Sequence, residues 1–266
     1  DSFLDGAPIV CFSAMDPIGP GQVTEALIRL LDKKDREQRG APRRDDRPFK
    51  MSVDRVFSVR GFGTVVTGTS TTGVVAVGDS VCVLPGEKRA RVRGIQVHGE
   101  AVDFATPGMR IALNLQGLDH DEVSRGGVIT HAEALDVVSM FDGTFKVLER
   151  VHDPLPNRSR VLIHLGTAQV EGTLSFLEDV DEVAPGDSVH VQVRLDRPVP
   201  LLPGEPFVAR GFHVLDDYGK TVGGGRALTN AKRRHRRRDV GRHALVEALA
   251  TGSVEDMLCA IVRFEG

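Results

Sequence analysis

Residues 63–70 read G-x-x-x-x-G-T-S, one residue away from the phosphate-binding loop G-x-x-x-x-G-K-[ST]. Thr69 stands where that loop needs its lysine, so no ammonium reaches the β- and γ-phosphates of a nucleotide. The loop interior, Thr64-Val65-Val66-Thr67, is β-branched and strand-like rather than small and flexible. Val66 also occupies the third glycine position of a G-x-G-x-x-G fingerprint that would start at Gly61. Nucleotide binding by this stretch is therefore excluded. No serine elbow and no His-Glu-x-x-His pair is present, so no catalytic residue is expected. The nine histidines show no ligand spacing, and His98, His131, His152, His164, His190 and His213 read as single surface or hydrogen-bonded side chains. Cys11, Cys82 and Cys259 are odd in number and far apart, which fits reduced thiols in a cytoplasmic protein and no metal site. The strongest compositional signal is the basic run Lys232, Arg233, Arg234, Arg236, Arg237 and Arg238 around His235. Such a block attracts nucleic acid phosphates with steep salt dependence; a solvated connector between domains reads equally well.

The elements that would carry these residues are mostly short strands. The chain has 266 residues, 41% of them hydrophobic, enough for more than one domain. Its formal net charge is -3, so it is no polyanion binder by bulk charge. No membrane-length apolar run and no signal peptide is visible, and Asp1 is no natural translation start, so the sequence reads as a fragment. Residues 7–12 form an apolar run expected to be a buried strand, and Val23, Ala26, Leu27, Leu30 and Leu31 recur at helical spacing. Residues 33–48 are charged and proline-containing and read as a linker. In 49–133, strands are expected at 49–59, 64–69, 80–84, 88–97, 110–115 and 128–129; in 134–228, at 139–148, 159–165, 169–177, 188–195 and 206–214. Many short strands at regular spacing suggest barrels. Val75-Ala-Val-Gly-Asp-Ser-Val recurs as Val183-Ala-Pro-Gly-Asp-Ser-Val, a shared Gly-Asp turn launching an alternating strand. Residues 229–266 hold the basic run and two helical patterns, 240–249 and 254–262, with Ser253 and Asp256 spaced as a capping box.

The stretch F-x-x-x-G-x-G-T-V-V-T-G, from Phe57 to Gly68, resembles the signature of the second domain of translational GTPases, the β-barrel that follows the G domain. Through Arg91-Val92-Arg93-Gly94-Ile95-Gln96-Val97-His98-Gly99 and Met109-Arg110-Ile111-Ala112-Leu113-Asn114-Leu115-Gln116-Gly117, the resemblance narrows to the selenocysteine-specific elongation factors, the SelB family. It implies a mainly β fold of two consecutive barrels, translation-factor domains II (49–133) and III (134–228). The α/β tail of a G domain (1–32) would precede them, and a basic linker and the start of a winged-helix region (229–266) would follow. In such proteins a Ser-Ala pair after the last G-domain strand contacts guanine; Ser13 and Ala14 match it, and a plain turn fits them as well. The other nucleotide-binding motifs of a G domain are not in this sequence, so GTP and Mg are expected in the parent protein. No cofactor is expected on this chain, and it should have no GTPase activity alone.

The resemblance further implies that the aminoacyl end of a charged tRNA lies against Asp54, Arg55, Phe57, Gly63, Thr67, Gly68 and Arg110. The general elongation factor has acidic and amide residues at the positions of Arg55 and Arg110; two guanidiniums would favour a selenolate over a neutral serine hydroxyl. Read from the residues alone, Asp54 and Arg55 form an exposed ion pair and Arg110 is a strand-edge cation. The tRNA backbone would meet Arg158, Arg160, His164 and Thr167, joined by Arg210 and Arg226, each of which also reads as an ordinary surface side chain. The implied function is GTP-dependent delivery of selenocysteinyl-tRNA to the ribosome at recoded UGA codons. A C-terminal region would bind an mRNA hairpin, and the protein would be a monomer away from membranes. Another translational GTPase, or a non-catalytic pair of barrels acting as an interaction module, is the alternative.

Overall fold

The computed structural model describes residues 7–13, 15, 19–37, 46–59, 63–211, 220–234 and 240–265. The chain divides into two compact units, Asp1–Arg44 and Asp45–Gly266. In the first, one helix, α1 (Gly19–Glu37), begins on Gly-Pro, where proline's missing N–H costs nothing. An Arg29–Glu25 pair at 2.6 Å spans one turn of it. The helix runs five residues into the stretch expected to be linker from residue 33, because Lys, Arg and Glu are good helix formers as well as linker residues. Residues 7–12 make no strand: no partner strand is present among the described residues of this unit, and Ile9 and Phe12 are exposed.

The second unit opens with nine strands: β1 (Lys50–Val59), β2 (Gly63–Thr72), β3 (Val75–Ala76), β4 (Ser80–Leu84), β5 (Lys88–Val97), β6 (Glu100–Val102), β7 (Phe104–Ala105), β8 (Arg110–Gln116) and β9 (Val128–His131). The order β4-β9-β1-β2-β8-β5 closes through a β4–β5 pairing into a barrel, with β6 added to β5. Alternating side chains fill it, among them Phe49, Met51, Val53, Val66, Ile95, Ile111, Leu113, Leu115 and Ile129.

Eight strands build the second barrel region: β10 (Asp136–Val147), β11 (Leu155–Pro156), β12 (Arg160–Leu165), β13 (Ala168–Phe176), β14 (Glu182–Val183), β15 (Ser188–Leu201), β16 (Pro206–Gly211) and β17 (Thr221–Asn230). The closed order is β10-β15-β13-β12-β16-β17. Phe207 sits at its centre, edge-on to Phe141 at 5.2 Å and stacked on Phe145 at 6.0 Å. The fold is thus mainly β, two consecutive barrels. The repeated Gly-Asp turn occupies the same place in both: Gly78 (φ 97°) and Gly186 (φ 89°) lead into β4 and β15.

β17 lies where no strand was expected, because Gly223-Gly224-Gly225 reads as a breaker. The glycines are what let it fit. A Cβ on Gly225 would lie 1.7 Å from Thr144 O, and one on Gly223 would lie 2.3 Å from Phe145 Cζ.

Two helices follow, α2 (Val240–Thr251) and α3 (Val254–Glu265). Ser253 and Asp256 form the capping box: Asp256 N–H donates to Ser253 Oγ (3.2 Å) and Ser253 N–H to Asp256 Oδ2 (3.0 Å). α2 is fastened to the second barrel by Arg242, whose guanidinium pairs with the fully buried carboxylate of Asp142. Gln192 donates 3.0 Å to the other oxygen of that carboxylate and 3.2 Å to the Arg233 carbonyl, so the start of the basic run is tied down by the same network.

The two barrels also touch. Lys50, almost fully buried, pairs with Glu205 across the junction. Burial pulls the Lys50 ammonium below its usual range, and Glu205 opposes that pull. Thr167 donates its hydroxyl to Val53 O at 2.6 Å.

Candidate functional site

The candidate site begins at an irregularity in β1. Val53 pairs with Gly68 and Arg55 with Thr67, so Asp54 is an extra residue, a β-bulge. Gly68 permits it: a Cβ there would lie 2.2 Å from Ser52 O and 2.9 Å from Met51 Cγ. The bulge aims Asp54 at the first residue of β8. Arg110 donates to Asp54 Oδ2 at 2.7 Å, with both side chains partly exposed. This hydrogen bond holds the Asp54 carboxyl below the usual carboxylate range; burial opposes it, and the charges of Arg110, Arg55 and Arg125 add to the lowering.

Asp54 therefore takes Arg110 rather than its sequence neighbour. Arg55 is exposed and makes no ion pair among the described residues. Phe57, two residues on and on the same side of the strand, is 44% exposed. Thr67, opposite Arg55, buries its Oγ1 without a hydrogen-bond partner among the described residues. Gly63 (φ 83°) opens β2.

Arg125 joins this face unannounced by the sequence. Its loop is pinned to the bulge from both sides: Gly126 N–H donates to Val53 O (3.2 Å), and Val53 N–H donates to Gly127 O (2.9 Å). Nothing in a Ser-Arg-Gly-Gly loop signals that tie. The charges of three guanidiniums, Arg110, Arg55 and Arg125, thus all act on the one carboxylate of Asp54. Beside it runs a groove of about 560 Å³ lined by Val65, Gln96, Val102, Ala112 and Asn114.

The second group of sequence candidates does not act as one patch. Arg160 is held by Asp196 (2.6 and 2.9 Å) and Glu171 (3.0 Å), so its charge is compensated. Burial, with the charge of Arg210, pushes the His164 imidazole below its usual range, so it is neutral at neutral pH. The hydroxyl proton of Thr167 is committed to Val53, which makes that residue part of the barrel junction. Arg226 donates to Gly204 O at 2.8 Å. Arg158, at φ 64°, is exposed and makes no ion pair among the described residues. It shares a polar cleft of about 580 Å³ with Arg194 and with Arg234 of the basic run. Lys232, Arg233 and Arg234 are exposed; Arg236, Arg237 and Arg238 lie outside the described residues, as do Ala14 and His213. Ser13 Oγ accepts from Met15 N–H at 3.3 Å, a local turn.

Three residues without any sequence spacing in common meet at Glu178, which also lines that cleft. His190 on β15, His243 on α2 and Glu178, just beyond β13, bring their ligand atoms within 4.8 Å of one another. Burial alone would raise the Glu178 carboxyl, but the ring and backbone N–H of His190 outweigh it and hold it below the usual range.

Residues 63–130 match the family model described as elongation factor Tu domain 2. Over 265 residues the chain is 36% identical to a selenocysteine-specific elongation factor of Desulfomicrobium baculatum. That alignment covers 100% of this chain and 40% of the relative, so the chain spans well under half of that protein's length.

Proposed function

We propose, for a chain that belongs to the SelB-like translational GTPases, that the face around Asp54 receives the aminoacyl end of selenocysteinyl-tRNA. The whole protein would carry that tRNA to the ribosome in a GTP-dependent manner, in the cytoplasm. GTP and Mg would be handled by a part of the protein outside this chain, and an mRNA hairpin by a region beyond the C-terminal helices. The observation that carries the reading is the Arg55 guanidinium, which makes no ion pair among the described residues, beside the Arg110–Asp54 pair. A selenol is more acidic than a thiol or an alcohol, so selenocysteine is an anion at neutral pH while serine is neutral. Guanidiniums in a cleft that closes around the ligand favour the anion, and they penalise a neutral group that leaves them unpaired. The Thr67 hydroxyl, buried without a partner among the described residues, is a further group that a ligand could satisfy.

A 100-fold preference corresponds to roughly 2.7 kcal/mol, within reach of one or two charge-assisted contacts. The test is binding of the full-length protein to selenocysteinyl- and seryl-tRNA, with GTP, at two salt concentrations. Preference for the selenocysteinyl form that falls in Arg55→Ala supports the reading. Equal binding of both forms would leave a translation factor without this discrimination, and no tRNA binding would favour an interaction module.

A further inference from the structure

We propose that Glu178, His190 and His243 form a binding site for a divalent transition metal of the zinc and cobalt type, one that clamps helix α2 to the second barrel. The donor set is two imidazoles and one carboxylate, which suits borderline metals rather than Mg²⁺ or Ca²⁺, whose sites are built from oxygens. The spacing suits such an ion. A tetrahedral centre with bonds of about 2.0–2.1 Å holds its ligand atoms roughly 3.3–3.4 Å apart. His190 Nδ1 lies 2.9 Å and His243 Nε2 3.4 Å from Glu178 Oε1, so small side-chain movements open the site to that size. The imidazoles stand nearly perpendicular, centroids 5.3 Å apart at 81°, so their edges can turn toward one point without the rings clashing.

The backbone holds the ligands in place from outside the site. His190 N–H donates to both Glu178 oxygens, at 3.0 and 3.2 Å, which orients the carboxylate as an outer hydrogen bond does in metal sites. His243 follows Arg242, whose buried pair with Asp142 fixes the first turn of α2 on the barrel. The three side chains are each between 20% and 36% exposed, enough for an ion to enter from the cleft and for a water or polar group to take a fourth position. His243 lies on α2 while His190 and Glu178 belong to the barrel, on β15 and in the connection after β13, so a bound ion would cross-link the C-terminal helices to the barrel.

The experiment is a Co²⁺ titration of the untagged, chelator-treated protein followed by visible absorption, with Zn²⁺ competition and thermal unfolding. One equivalent of Co²⁺ with the intense bands of a four- or five-coordinate site is expected, displaced by Zn²⁺, with a rise in the unfolding temperature. His243→Ala and Glu178→Gln should weaken binding by roughly 100-fold or more, since even outer-shell changes cost 10–100-fold. Added Co²⁺ or Zn²⁺ should leave the unfolding temperature of either variant unchanged; His243→Ala carries the test if a barrel variant does not fold. No stoichiometric Co²⁺ spectrum, or one undiminished in His243→Ala, overturns the proposal. The outcome does not depend on whether the protein discriminates between charged tRNAs.

Discussion

Arg110 pairs with Asp54 while Arg55 makes no ion pair among the described residues, and this decides how each would act. Removing Arg55 takes away a cation that makes no ion pair among the described residues. Removing Arg110 also leaves the Asp54 carboxylate without its partner on the proposed ligand face. Arg55→Ala is therefore expected to lower selenocysteinyl-over-seryl preference by about tenfold, roughly 1.4 kcal/mol, and Arg110→Ala by more, read as the ratio of dissociation constants. The Asp54–Arg110 pair has its own pH signature. The folded-state carboxyl is held below its unfolded value of about 3.9, so its contribution to stability is complete above that value and is lost as pH falls through the folded one. The difference in urea midpoint between wild type and Asp54→Asn should stay level from about pH 7 to 5 and shrink below about pH 4. A difference that grew on acidification would refute the pairing. From the residues alone, Asp54 and Arg55 read as a pair because they are adjacent; the bulge that separates them depends on the missing Cβ of Gly68, a contact between strands that local sequence does not display. Arg125 was illegible for the same reason, since only the ladder between its loop and Val53 brings it near.

Strands announced themselves wherever β-branched residues alternate between glycine turns. The expected spans 80–84 and 88–97 coincide with β4 and β5, and most others shift by one to three residues. The misses fall where pairing or space overrides composition. Residues 7–12 have strand composition but no ladder among the described residues, and β17 has a ladder but three glycines in its middle. At the seam between β10 and β17 the two backbones approach too closely for side chains on either side. A Cβ on Gly143 would lie 2.1 Å from Arg226 O, just as one on Gly225 would lie 1.7 Å from Thr144 O. Gly225→Ala must therefore spread the pairing that closes the second barrel, at a cost of about 1–3 kcal/mol or more. Gly94→Ala on β5 meets nothing within 4 Å and should stay within about 0.5 kcal/mol of wild type. Chemical denaturation of the two variants side by side checks this; equal midpoints would show that the seam has room to relax.

At the scale of the molecule, the junction between the barrels runs directly behind the candidate site. Thr167 and Gly126 of opposite barrels both donate to Val53 O, the carbonyl next to the Asp54 bulge, so a shift of one barrel against the other would disturb the bulge. Lys50 and Glu205 lie in the same junction, and burial makes that pair sensitive to the loss of one partner. Glu205→Gln leaves a nearly inaccessible ammonium without its counter-charge, a change that costs about 3–5 kcal/mol for fully buried pairs and less here, where Glu205 keeps some exposure. The double variant Lys50→Met/Glu205→Gln removes the charge as well, and should recover most of that loss. Alkaline pH should act in the same direction on the single variant. The folded ammonium already titrates below its unfolded value of about 10.4, so the fold favours the neutral amine, and stability rises as pH climbs through the folded value. Thermal unfolding of wild type, single and double variants at pH 7 and 9.5 reads this directly. A single variant as stable as wild type at pH 7 would mean that water already solvates Lys50 and that the barrels are held by packing and the Thr167 contact alone.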